Sequence, residues 1–101
     1  MARQLIMTDP DVHLPAPASS LTTLSRLLAR TAQPDAALEP AREAAGLWRG
    51  LAAAAPGKFL PDLAGSLTNL ANALAETGQL TAALEPAREA VRLFRGLNAH
   101  R

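Results

Sequence analysis

The nonapeptide AALEPAREA occurs twice in this chain, at residues 36–44 and again at residues 82–90. The two occurrences are 46 residues apart, and the similarity continues in both directions at that spacing. Roughly two-thirds of the positions between residues 20 and 51 are identical to their counterparts at 66–97. Repeats of this length stack copies of one supersecondary unit, and each copy buries its apolar face against its neighbour.

The repeat divides the 101 residues into a short stub and two units, namely 1–9, 10–55 and 56–101. Matches thin out before residue 20 but do not stop, since Arg3 and Leu5 fall on Arg49 and Leu51 at the same spacing. We therefore expect residues 1–9 to resemble the end of a preceding helix.

Composition favours helices and excludes several classes of function. Hydrophobic residues make up 49% of the chain and aromatic residues 3%, so Ala and Leu supply most of the apolar surface. This bias suits α-helices and suits β-sheets badly. A net charge of +1 argues against a dedicated nucleic-acid or polybasic membrane binder, and the lack of Cys excludes disulfides and thiolate chemistry. No apolar run reaches the length of a signal h-region or a membrane span, so we expect a cytoplasmic protein.

Each unit is predicted to form two helices. In the second unit, leucines recur at spacings of three and four, which indicates an amphipathic helix: Leu60, Leu63, Leu67, Leu70 and Leu74. We expect Pro61 in its first turn and Gly78 at its end. A second apolar stripe then runs from Leu80 to Leu97. Trp48 and Phe94 occupy equivalent positions of their stripes, and we expect them in the core, with a terminal contact face as the alternative.

Proline and capping residues predict the helix limits. A first helix should start near Pro15 to Pro17, with Ser19 and Ser20 as capping residues, and Asp35 is expected to cap the next helix. The pair Pro56-Gly57 is predicted to link the two units. Two further prolines, Pro40 and Pro86, fall inside the second helix of each unit, either as tolerated bends or as bends that determine the curvature of the array.

The pattern resembles the tetratricopeptide repeat (TPR), in which small residues recur at fixed places in paired helices. The second unit matches this pattern best, whereas the first departs from it at Ala32 and Pro34; the matching residues are Leu70, Ala71, Leu74, Gly78, Leu80, Ala83, Ala87 and Ala90. The 46-residue period and the start Ser-Leu-Thr-Asn-Leu-Ala at 66–71 resemble the kinesin-light-chain-like subgroup with long repeats. The resemblance implies an all-α solenoid of antiparallel helix pairs.

The resemblance also implies a function, which is to bind a protein or peptide in a concave groove lined by the first helix of each pair. Carried over to this chain, the groove positions are Thr22, Thr23, Arg26, Arg30, Asn69, Asn72 and Glu76. These residues stand off the leucine stripe, so we expect them to have no packing role. An Asn amide can donate to and accept from a peptide backbone, and the two Arg residues suit a carboxylate. The alternative is that these polar side chains simply face water.

Other residues give little support for catalysis or for ligand chemistry. The charged residues of the second helices read as a solvated outer face, and Arg88, Arg92 and Arg95 lack the aromatic neighbours typical of nucleic-acid contact. His13 and His100 have no paired ligand spacing, and Asp9 and Asp11 lack further oxygen ligands. We therefore expect no enzyme activity, no metal and no cofactor.

The alternative function is self-assembly. A repeat array buries each face against a neighbour, and two units are fewer than the three generally needed for independent stability. The last helix should then present an apolar side made of Val91, Phe94 and Leu97, through which the chain could stack on another copy.

Overall fold

The computed structural model describes residues 14–99, and every regular element in that range is an α-helix. The four helices are α1 Pro15–Arg30, α2 Pro34–Ala54, α3 Pro56–Glu76 and α4 Leu80–Ala99. Each helix packs against the next one in the chain, and α1 also contacts α3. The fold is therefore all-α with consecutively packed helices, as a TPR-like helical repeat requires. The predicted stub at 1–9 lies outside the described residues, as do Asp9, Asp11, His13 and His100.

Most residues of the buried core are alanines, and they pack against a few large side chains. Its central cluster draws on all four helices: Ala18 from α1, Ala44, Ala45, Trp48, Leu51 and Ala52 from α2, Phe59, Leu63 and Leu67 from α3, and Ala90 from α4. The rings of Trp48 and Phe59 lie 6.0 Å apart, centroid to centroid, and are tilted by 40°. Buried alanines let helix axes approach closely, so a core poor in aromatic residues can still be dense.

The turn between α1 and α2 has the same hydrogen bonds as the turn between α3 and α4. The N–H groups of Ala32 and Gln33 donate to the carbonyls of Ala29 and Leu28 at 3.2 and 2.9 Å. Gly78 and Gln79 repeat this arrangement with Ala75 and Leu74 at 3.0 and 2.8 Å. This pair of bonds is a Schellman motif, which places one residue in the left-handed region. Gly78 has φ +84° and ends α3 as predicted, while Ala32 adopts φ +61° at the same place in the first turn.

The predicted starts of two helices are wrong, and so is the predicted role of Ser19 and Ser20 as capping residues. Helix α2 begins at Pro34 with Gln33 at the N-cap and no capping side chain, so Asp35 lies in the first turn and is not the cap. Helix α3 begins at Pro56, which leaves only Ala55 as the link and places Pro61 inside the helix. Helix α1 does begin at Pro15, as expected, but Leu14 is its N-cap. Ser19 and Ser20 are therefore interior helical residues rather than caps.

Two interior prolines each occupy the seventh position of their helix. Pro40 and Pro86 lie inside α2 and α4 and are buried. A proline leaves the carbonyl four residues earlier without its helical donor. Those carbonyls belong to Ala36 and Ala82, which are exposed and can therefore be hydrated.

The two aromatic residues at equivalent stripe positions differ in burial. Trp48 is 5% exposed and belongs to the core, as predicted. Phe94 is 45% exposed, so its assignment to the core is wrong. The reason is positional, because α3 covers the face of α2 that carries Trp48, whereas no helix among residues 14–99 covers the same face of α4.

Candidate binding groove

Two adjoining cavities lie along α1 and α3, and together we name them the α1–α3 groove. The larger has a volume of about 420 Å³ and is lined by Ser25, Arg26, Ala29, Arg30, Asn69, Asn72, Ala75 and Glu76. The smaller, of about 250 Å³, is lined by Ser19, Thr22, Thr23, Arg26, Trp48, Pro61, Asp62, Gly65 and Asn69. Arg26 and Asn69 line both. The structure thus places all seven sequence-predicted groove residues along one surface.

Helix geometry explains why these positions share a surface. Helices α1 and α3 run in the same direction because α2 returns between them. Residues spaced three or four apart lie on one face of a helix. The positions 22, 26 and 30 on α1 therefore advance alongside 69, 72 and 76 on α3, which gives the groove two roughly parallel walls.

Thr22 connects three helices through hydrogen bonds at the floor of the groove. Its Oγ1 accepts a hydrogen bond from Trp48 Nε1 of α2 at 3.1 Å and donates to the Ala18 carbonyl at 2.9 Å. Its own carbonyl accepts from Asn69 Nδ2 of α3 at 3.2 Å. The expectation that none of the seven residues has a packing role is therefore wrong for Thr22 and Asn69.

The remaining five predicted residues are exposed: Thr23, Arg26, Arg30, Asn72 and Glu76. Within residues 14–99, none of their side chains takes part in a hydrogen bond or ion pair inside the chain. The α1 wall contributes two cations, Arg26 and Arg30, and the α3 wall contributes the carboxylates of Asp62 and Glu76. A ligand in the groove therefore meets positive charge on one side and negative charge on the other.

Sequence reasoning missed three polar residues of the groove, which are Ser19, assigned to a cap instead, Asp62 and Ser25. Asp62 lies seven residues before Asn69, which is two helical turns, so extending the α3 stripe backwards would have found it. Ser25 is buried, and its Oγ donates to the Ala37 carbonyl at 3.0 Å, which ties α1 to α2. No pattern in the sequence indicates that contact.

The residues predicted for end stacking do not all lie on one surface. Val91 and Phe94 are exposed on α4, together with Leu80 and Leu84. Leu97 is half-buried and instead lines an apolar cavity of about 420 Å³ with Leu60 and Leu93. A cavity of about 540 Å³ in the first unit is lined by their counterparts Leu14, Leu47 and Leu51.

An ion pair joins the second helices of the two units. Arg49 Nη1 and Nη2 of α2 donate to the two carboxylate oxygens of Glu89 of α4 at 2.5 and 3.2 Å. These hydrogen bonds, assisted by the charge of Glu89, raise the pKa of Arg49 above its ordinary value, while partial burial opposes the rise. The pair is bidentate, which gives it geometric specificity.

Two searches for other kinds of site are negative over the described part of the chain. In residues 14–99, no three His, Cys, Asp or Glu side chains lie close enough to hold a metal ion. None of the helices described here has the length and apolar character needed to cross a membrane.

Comparison with known proteins finds that part of the second unit is similar to a family of repeats. No curated protein and no solved structure shows significant similarity to the chain. Residues 63–97, which include most of α3 and α4, match a family model described as tetratricopeptide repeat. The match and the consecutive packing of four helices support a tetratricopeptide-repeat family for this chain.

Proposed function

We propose that this chain is a non-catalytic scaffold that binds a protein or peptide segment in the α1–α3 groove. The single observation that carries the proposal is the convergence of seven polar positions on one surface between two parallel helices. TPR repeats are generally protein-interaction modules, which supports the same function. The kinesin-light-chain-like subgroup and the cytoplasmic location belong to this proposal as well.

The chemistry of the groove favours an extended segment that carries both signs of charge. Arg26 and Arg30 lie one turn apart and suit an acidic side chain or a terminal carboxylate through charge-assisted hydrogen bonds. Asp62 and Glu76 on the facing wall suit a basic side chain of the same segment. The amide of Asn72 is exposed and can both donate to and accept from a peptide backbone.

The experiment uses a phage-displayed library of random dodecapeptides, selected against the 101-residue chain. Enriched peptides are then measured by fluorescence anisotropy with the Arg26→Glu/Arg30→Glu variant and with Asn72→Ala. We expect the double charge reversal to weaken binding at least about tenfold, because each acidic contact becomes a repulsion. Asn69→Ala is unsuitable as a probe, because it also removes the hydrogen bond to Thr22.

A matched control separates the groove from general electrostatics. Arg42 and Arg88 are exposed on α2 and α4, outside both cavities that form the groove. Arg42→Glu/Arg88→Glu changes the net charge by the same amount as the groove variant. Equal loss of binding in both double variants, or no loss in the groove variant, would show that the groove assignment is wrong.

A further inference from the structure

We propose that copies of this chain associate head to tail, with the outer face of α4 of one copy docked on the outer face of α1 of the next. We name these the tail surface, made of Leu80, Leu84, Val91 and Phe94, and the head surface, made of Ser20, Leu24 and Leu27. The six apolar members are each at least 45% exposed. The tail and head surfaces are distinct from the α1–α3 groove, and the partner that they bind is a second copy of this chain.

The chain itself contains the joint that serves as the template. Helix α3 packs on α2, and two of the residues buried on α2, Ala45 and Trp48, correspond, 46 residues on, to exposed residues of α4. Ala45 is 4% exposed and its counterpart Val91 is 47% exposed, and Trp48 and Phe94 differ in the same way. Val91 and Phe94 of the tail surface are thus the uncovered counterparts of residues that are buried within the same chain, while Pro34 and Leu38, the counterparts of Leu80 and Leu84, are half-buried.

The head surface shows the reciprocal relation. Ala73 of α3 is 2% exposed, whereas its counterpart Leu27 of α1 is 52% exposed. Ser66 is buried in α3, while its counterpart Ser20 is exposed in α1. Because α1 corresponds to α3 and α4 corresponds to α2, docking the head of one copy on the tail of another repeats the α2–α3 joint between chains.

Charge complementarity gives the same register. Within the chain, Arg49 of α2 pairs with Glu89 of α4 across the joint between units. Moving this pair by one repeat replaces Arg49 with Arg95 and Glu89 with Glu43 of the next copy. Both Arg95 and Glu43 are exposed, so the joint between copies would pair a cation of the tail end with an anion of the head end.

Such a contact is heterologous, since two different surfaces meet, and it leaves one head and one tail open on every oligomer. Self-association should therefore produce a concentration-dependent series of oligomers rather than a closed dimer. A symmetric tail-to-tail dimer is the competing arrangement, and it uses the α4 face twice. The two arrangements predict different effects for variants on α1.

Sedimentation velocity on the 101-residue chain, from micromolar to millimolar concentration, tests the proposal with two variants. Phe94→Glu places a charge on the tail surface and Leu27→Glu places one on the head surface. Each should raise the dissociation constant of the wild-type series at least about tenfold, because a charge would have to be buried unpaired in the joint. An equimolar mixture of both variants retains one intact head and one intact tail, and should form a discrete dimer.

Three results would overturn the proposal. The first is a wild-type chain that stays monomeric at every concentration, and the second is association that survives Leu27→Glu but not Phe94→Glu. The third is a mixture of the two variants that does not dimerise. Ala82→Glu is the matched control, because Ala82 is exposed on α4 away from the tail surface, and its association should equal that of wild type. Circular dichroism verifies that all variants keep their helices.

The proposed ion pair between Arg95 of one copy and Glu43 of the next is tested separately. Arg95→Glu and Glu43→Arg should each raise the dissociation constant about three- to tenfold, and the double variant should restore the wild-type value because the charges are then exchanged. Failure of the double variant to recover would show that this pair does not form between copies and that the register is wrong.

Discussion

Two residues at equivalent turns, Ala32 and Gly78, both have positive φ, at +61° and +84°. An L-residue with a Cβ pays roughly 1–2 kcal/mol in the left-handed region, whereas Gly does not. The hydrogen bonds of the two turns are the same in pattern, so the first turn carries a local strain that the second avoids. A Cβ built on Gly78 meets nothing within 4 Å. The difference in strain between the two turns therefore comes from the backbone conformation and not from steric crowding of the side chain.

Replacing Ala32 by Gly should therefore stabilise the chain. We expect Ala32→Gly to raise the free energy of unfolding by about 0.5–1 kcal/mol, since relief of the left-handed strain exceeds the added flexibility of Gly in the unfolded chain. Urea unfolding followed by circular dichroism measures this change. The reverse substitution, Gly78→Ala, should lower the free energy by a similar amount, and two neutral results would contradict the argument.

At the scale of elements, Thr22 of α1 accepts hydrogen bonds from both α2 and α3. Trp48 reaches it from α2 and Asn69 from α3, so one hydroxyl and one carbonyl of α1 hold two helices in register. The second unit has no equivalent, because Phe94 stands at the position of Trp48 and has no N–H to donate. The floor of the groove is therefore built differently from the corresponding place in α3 and α4.

Trp48→Phe removes this hydrogen bond while keeping an aromatic ring. We expect a loss of about 1–3 kcal/mol in the free energy of unfolding, from the hydrogen bond and the smaller buried ring together. A double-mutant cycle with Thr22→Val isolates the hydrogen bond and should give a coupling energy of about 1 kcal/mol. A coupling near zero would mean that Trp48 acts through packing alone.

The elements also show what the sequence could and could not predict. The leucine stripes predicted four helices, and Gly78 predicted the end of α3, because periodicity and φ preferences are local properties. The start of α3 was misplaced, because Pro56 and Pro61 both suit a first helical turn and only the wider packing decides between them. Phe94 was misassigned because its burial depends on a neighbouring helix and not on its own stripe.

The candidate groove likewise has features that the sequence predicts and features that it does not. The resemblance to the tetratricopeptide repeat supplies all seven positions, and helix periodicity, a local property, supplies the helices that carry them. The structural roles of Thr22 and Asn69 depend on atoms 26 and 47 residues away in the sequence, and no spacing rule predicts such pairs.

At the scale of the whole molecule, the two units share one core. The central cluster includes Ala18 of α1 and Ala90 of α4, and the ion pair between Arg49 and Glu89 also crosses from one unit to the other. In repeat proteins, stability is the sum of the stabilities of the units and of the interfaces between them. An interface this extensive relative to two units should couple them into one cooperative transition.

Cooperative unfolding can be observed directly, because Trp48 is the only Trp of the chain and lies in the first unit. Its fluorescence reports on the environment of α2, whereas circular dichroism reports on all helices. At a concentration at which sedimentation velocity finds only the monomer, we expect the two urea transitions to coincide. Gly78→Ala perturbs the second unit alone, yet it should lower both midpoints by the same amount, about 0.5 M urea for a loss of about 1 kcal/mol. Ala32→Gly should raise both midpoints together.

A different result would contradict cooperative unfolding. If Gly78→Ala moves the dichroism midpoint but not the fluorescence midpoint, the two units unfold separately. The α2–α3 joint would then contribute less to the free energy of unfolding than the packing within each helix pair.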